Sequence, residues 1–137
     1  MKFRLLSLLL LPLSLPALAY QFPLEISEYI DDVKVDAFIN PQALANQPAW
    51  KPFQQPLPLK LDQVLAAIAD GMKKDPRIER ARLVGVELKP LPGRPGQWHY
   101  LVKMKGQMAD GSHKPLFFVV LFNGNVIAAI PEPEAIK

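Results

Sequence analysis

His99 and Glu87 are the residue types that move protons near neutral pH. If residues 84–89 and 98–105 form neighbouring strands, a histidine on the second could meet a carboxylate on the first, and such a pair could do acid–base work. A solvated strand position opposite a carboxylate accounts for the same pattern without chemistry. His113 sits beside Lys114 and Pro115 and reads as loop polarity. These two histidines are the only ones in the chain, and no cysteine accompanies them. No His-x-x-x-His or Glu-x-x-His spacing occurs, so the sequence offers a poor zinc site, and no metal or cofactor is expected. Serine nucleophiles are scarce. Ser27 and Ser112 lie outside any Gly-x-Ser-x-Gly elbow, and threonine is absent. Asp31-Asp32 pairs two carboxylates, but adjacent residues usually face apart, and a solvated turn fits better. Lys73, Lys74, Arg77, Arg80 and Arg82 form the one basic run. It reads either as a patch for an anion or acidic partner, or as helix-end compensation followed by the wet edge of a strand. Glu79 interrupts it and aromatics interleave poorly with it, which argues against nucleic acid.

The location is easier to read than the chemistry. Lys2 and Arg4 precede an apolar run from Leu5 to Leu18, which ends in the small-x-small pattern Ala17-Leu18-Ala19. That is the pattern of a signal peptide over residues 1–19, with cleavage expected after Ala19. The run is shorter than the roughly 20 residues of a membrane span, and Pro12 and Pro16 interrupt it. Export to a bacterial periplasm is the expectation, with no stable membrane insertion after cleavage. The full chain of 137 residues carries 16 Lys and Arg against 13 Asp and Glu, a formal charge of +3. Loss of Lys2 and Arg4 brings this close to neutral, leaving no global field to attract nucleic acid or an anionic membrane. With no cysteine, disulfides, thiolate catalysis and lipid attachment at a cleavage-site cysteine are excluded.

The elements that must position these residues divide near Lys60. Residues 20–59 hold six prolines, among them Pro23, Pro41 and Pro48, so an irregular arm is expected. Residues 33–39 alternate and could be one strand. Trp50, Phe53, Leu57 and Leu59 are spaced like anchors onto a core. Residues 60–137 read as an α+β domain. Leu61, Val64, Leu65, Ile68 and Met72 share a helical face, and Asp75-Pro76 ends that helix. Val84, Val86 and Leu88 then share one strand face, and Gly85, Glu87 and Lys89 the other. Trp98, Tyr100, Val102 and Met104 alternate with His99, Leu101, Lys103 and Lys105, which predicts a strand with one wet face. Leu116 to Phe122 is continuously apolar and reads as a strand covered on both faces. An uncovered Phe118 or Phe122 would be an exposed patch of the interaction type. Asn123-Gly124 favours a type I′ hairpin turn into residues 126–130. The expected fold is one main helix packed on a three- to four-stranded antiparallel sheet, preceded by the Pro-rich arm.

Residues 61–68 (Leu-Asp-Gln-Val-Leu-Ala-Ala-Ile) resemble the helix that opens PepSY-type domains. Gln97 to Val102, Asp110-Gly111 and Val119 to Ile127 resemble that family's second and third strands and closing turn. The likeness covers about residues 60–130. It implies an extracytoplasmic role in inhibiting or regulating peptidases, or in other protein binding, rather than catalysis. The expected function is therefore a non-enzymatic periplasmic module that binds another periplasmic or envelope protein. The expected contact residues are Glu87, Lys89, His99, Lys103 and Lys105. The alternatives are a small hydrolase or lyase using His99 with Glu87, and an immunity-type partner of an envelope-acting toxin.

Overall fold

The computed structural model describes residues 22–131, so the leader at residues 1–19 lies outside the described residues. The fold class is α+β, with one α-helix and antiparallel sheets. The arm is more regular than its prolines suggest. Strands β1 (Leu24–Ile30) and β2 (Val33–Ile39) form a hairpin, and a short 3-10 helix follows over Pro41–Leu44. The two-residue loop is Asp31-Asp32, with φ of 48° and 65°. A type I′ turn demands positive φ at both positions, because its twist matches that of the flanking strands. The paired carboxylates are thus turn residues. The six prolines of the arm spare residues 24–39, which is why a hairpin fits there.

Helix α1 (Leu61–Lys73) starts where the Gln63 side chain accepts the Lys60 backbone N–H at 2.8 Å. Asp62 in its first turn and Lys73 in its last suit the dipole. Val64 and Ile68 are its buried residues; Met72 is partly buried and Leu61 is exposed, so the apolar stripe is narrower than its periodicity suggests. Strands β3 (Ile78–Pro90), β4 (Trp98–Met108), β5 (His113–Leu121) and β6 (Val126–Ala128) form a four-stranded sheet in chain order. The chain then crosses to the small sheet, where β7 (Ile130–Pro131) pairs with β2.

Both faces of the large sheet are covered over most of their length. On one, Tyr100, Val102, Met104, Phe118, Val120 and Phe122 pack with Val64 and Ile68 of α1. Trp50, Leu57 and Leu59 of the arm complete this cluster, with Trp50 edge-on to Trp98 at 5.2 Å between ring centroids. Tyr100 donates its hydroxyl to the Leu59 carbonyl at 2.6 Å. Phe53, expected as a further anchor, is instead fully exposed with φ of 67°. On the other face, Leu101, Phe117, Val119 and Leu121 pack with Ile26, Val35, Ala37 and Ile39 of the hairpin. The face expected to be wet is therefore dry along much of β4. The apolar run does form a doubly covered strand, which ends at Leu121 with Phe122 opening the turn, and Phe118 and Phe122 are both buried.

Two local departures follow from backbone geometry. Leu83 pairs with Met104 and Gly85 with Lys103, so Val84 is the extra residue of a β-bulge and is 54% exposed. It does not share the buried face of Val86 and Leu88. At the β5–β6 turn only Gly124 has positive φ (91°), and its N–H reaches the Leu121 carbonyl at 2.9 Å. That is a type I turn closed by a left-handed glycine, in place of the expected type I′. The Asn123 side chain is used elsewhere, donating to the Ala43 and Ala45 carbonyls at 2.6 and 3.1 Å.

Candidate functional site

The pairing register of β3, β4 and β5 orders the side chains that face the small sheet into cross-strand rows. From one end they are Lys89–His99–Leu121, Glu87–Leu101–Val119 and Gly85–Lys103–Phe117, then Arg82–Lys105–Pro115 and Arg80–Gln107–His113. The bulge at Val84 is what keeps Arg82 and Arg80 in this series. Strict alternation from Glu87 would turn both toward the helix side, because one residue of slip reverses the face. The bulge instead sends Ala81 to the helix-side cluster and the two arginines to the opposite face.

The first three rows are committed within the chain. Lys89 forms an ion pair with Glu28 of the hairpin and lies 3.6 Å from Glu87. Glu87 accepts a hydrogen bond from Lys103 at 2.9 Å. The result is a ladder of alternating charge, Glu28–Lys89–Glu87–Lys103, between the two sheets. The Lys103 hydrogen bond holds the Glu87 carboxyl below its ordinary value, and the Glu28 carboxylate raises the Lys89 ammonium. His99 stands beside this ladder at 2% exposure, and neither ring nitrogen has a hydrogen-bond partner among the described residues. Burial, and then the Lys89 charge, push its imidazole down to about 4, with Glu28 and the Lys89 backbone opposing. A neutral imidazole in an apolar wall is the outcome.

The last two rows are open. Beyond the hairpin tip at Asp31, the sheet face becomes a groove of about 610 Å³. It is lined by Arg80, Arg82, Lys105, Gln107 and His113, with Lys114 and Asp31 at its margins. Arg80, Arg82 and Lys105 have no ion-pair partner among the described residues. Beside them, Leu83 and Val84 are exposed on β3, which is an edge strand of its sheet.

Of the five residues expected to meet a partner, Lys105 alone faces this groove. Glu87, Lys89 and Lys103 belong to the ladder, and His99 is buried rather than on an outer face. Glu87 and His99 share a face but not a row, and the cross-strand partner of His99 on β3 is Lys89. Arg80 and Arg82 belong to the basic run that the sequence offers as a patch for an anion or acidic partner, but alternation alone does not place them on one face with Lys105. The signal for them was Gly85, an isolated glycine inside a strand pattern, which marks a bulge. Glu28 carried no signal, because its role depends on which strand the hairpin covers. Ser112 is tied to Asp110 at 2.5 Å in a turn, and Ser27 to Asp36 at 2.5 Å. Among the described residues, no group of three or more His, Cys, Asp or Glu is arranged to hold a metal ion. Nor is any helix among them long and apolar enough to cross a membrane.

No protein-family model, curated protein or solved structure matches the chain.

Proposed function

We infer that the chain is a non-enzymatic protein-binding module, of inhibitor or regulatory type, acting on another protein of the bacterial periplasm or envelope. The observation that carries this reading is the groove at the open end of the large sheet. Three cations line it with no ion-pair partner among the described residues, and Leu83 and Val84 are exposed farther along the same edge strand, outside the lining. Interfaces are built from such mixtures, with apolar anchors ringed by charge that steers the encounter. The export part of the reading rests on Lys2, Arg4, the apolar run and Ala17-Leu18-Ala19. The likeness to PepSY-type domains, on residues 61–68 and 119–127, favours the same class of role.

Affinity capture from periplasmic extract tests it, comparing the native chain with Arg82→Glu/Lys105→Glu. Both residues are exposed, so the variant should fold. A protein held by the native chain and lost with the variant supports the reading. Identical capture by the two overturns it for this groove.

A further inference from the structure

The groove is specific in what it could recognise. Arg80 and Arg82 are two residues apart on one strand and on one face, so their Cα atoms are about 6.6 Å apart. An extended peptide carries its own alternate side chains at the same spacing. Lys105 lies directly across from Arg82 in the register, adding a second cation to that row. Each guanidinium presents a planar fork that matches a carboxylate, whereas the ammonium acts as a point charge. Between the Arg80 and Arg82 rows lies the Ala81–Gly106 pair, whose backbone lines the groove while the Ala81 side chain turns to the other face, which leaves room for a main chain. No Phe, Tyr or Trp lines the groove, and the His113 imidazole is the one ring there on which a base could stack.

We propose that this groove binds an extended acidic segment of a partner protein, in which two carboxylates at alternate positions meet Arg80 and the Arg82–Lys105 row. This rests on the protein-binding reading and narrows it to one ligand chemistry. Asp31, at the tip of the β1–β2 hairpin, is the single carboxylate of the lining and opposes such a ligand. It sets a ceiling on affinity that a substitution can lift. Asn accepts the left-handed backbone found at that turn position.

The test uses the full mature chain and two fluorescein-labelled octapeptides of identical composition. In one, three glutamates alternate with valine; in the other, the same glutamates are consecutive. Fluorescence anisotropy should show the alternating peptide binding at least several-fold tighter, with affinity falling as salt rises. Arg80→Gln/Arg82→Gln should weaken it about tenfold or more, the scale of losing charge-assisted contacts. Asp31→Asn should strengthen it about two- to threefold, a gain that a misfolded variant would not give. Equal affinity for the two peptides overturns the alternate-carboxylate inference. If Arg82→Glu/Lys105→Glu still abolishes capture from extract, the protein-binding reading survives that result. Tighter binding to single-stranded oligonucleotide or to anionic phosphatidylglycerol vesicles than to either peptide overturns the acidic-peptide proposal.

Discussion

His99 is the buried side chain through which the fold responds to mild acid. An unfolded chain holds this imidazole near its ordinary value of 6.5, and the folded chain near 4. Between those values the unfolded state binds a proton that the folded state refuses. Lowering the pH through that window therefore costs stability, and above it the effect vanishes. A difference of this size corresponds to about 3 kcal/mol at 1.36 kcal/mol per pH unit. Urea unfolding at pH 7.5 and 4.5 should show the loss, and His99→Leu should remove most of it. The Glu87 carboxyl, whose pKa is lowered in the fold from 4.5, contributes above that value and loses the contribution as pH falls below it, so most of the His99 window lies above the Glu87 loss. The ladder cannot supply the same signature. A second residue-scale outcome concerns the hairpin turn. Asp32 holds φ of 65°, which glycine adopts without a Cβ penalty. Asp32→Gly should be neutral or stabilise by up to about 1 kcal/mol in thermal or urea unfolding, and a loss above that would mean the turn carboxylate carries a contact of its own.

At the scale of elements, β3 separates what pattern can reveal from what only pairing can. Alternation places Val84 with Val86 and Leu88. The bulge instead leaves Val84 exposed, while Val86 packs toward the helix. Val84→Lys should change stability by no more than about 0.5 kcal/mol. Val86→Lys should cost at least about 2 kcal/mol, because a charge enters an apolar cluster. Equal costs in chemical denaturation would mean the bulge is absent in solution. The helix and the doubly covered strand that ends at Leu121 were legible because each follows from a local pattern of apolar residues. The β1–β2 hairpin was only half legible. Residues 33–39 alternate, but Asp31-Asp32 is not a common type I′ pair, and the prolines around it pull the reading toward irregular chain. His99 was misread because alternation predicts which residues share a face and is silent on what covers that face. A corrective was present in Leu101 and in Phe117, Val119 and Leu121 of the next strand. An apolar neighbour on each side of a supposedly wet histidine argues for a dry face at that end.

For the whole molecule, the large sheet is a shared wall between two cores, one closed by α1 and one by the hairpin. Residues 22–44 are therefore structural, which bears on any division of the chain at Lys60. They bury Leu101, Phe117, Val119 and Leu121, cover His99, and supply Glu28 to the charge ladder. They also decide where the groove begins, since the hairpin ends at Asp31 and the sheet runs on beyond it. A chain starting at Lys60 would open that apolar face to water, an exposed patch of the kind that drives association. It should lose a cooperative unfolding transition, bind a hydrophobic dye and associate with rising concentration, while the chain from Tyr20 does none of these. Adding a peptide of residues 22–59 in trans should restore the cooperative transition, because the strand pairing, the Ile26, Val35, Ala37 and Ile39 side chains and the Trp50, Leu57 and Leu59 anchors are all contained in it. If the shortened chain instead melts cooperatively, the helix packed on the sheet is sufficient without residues 22–59. The hairpin would then be an accessory layer, and the face it covers, including His99, would be available to a partner.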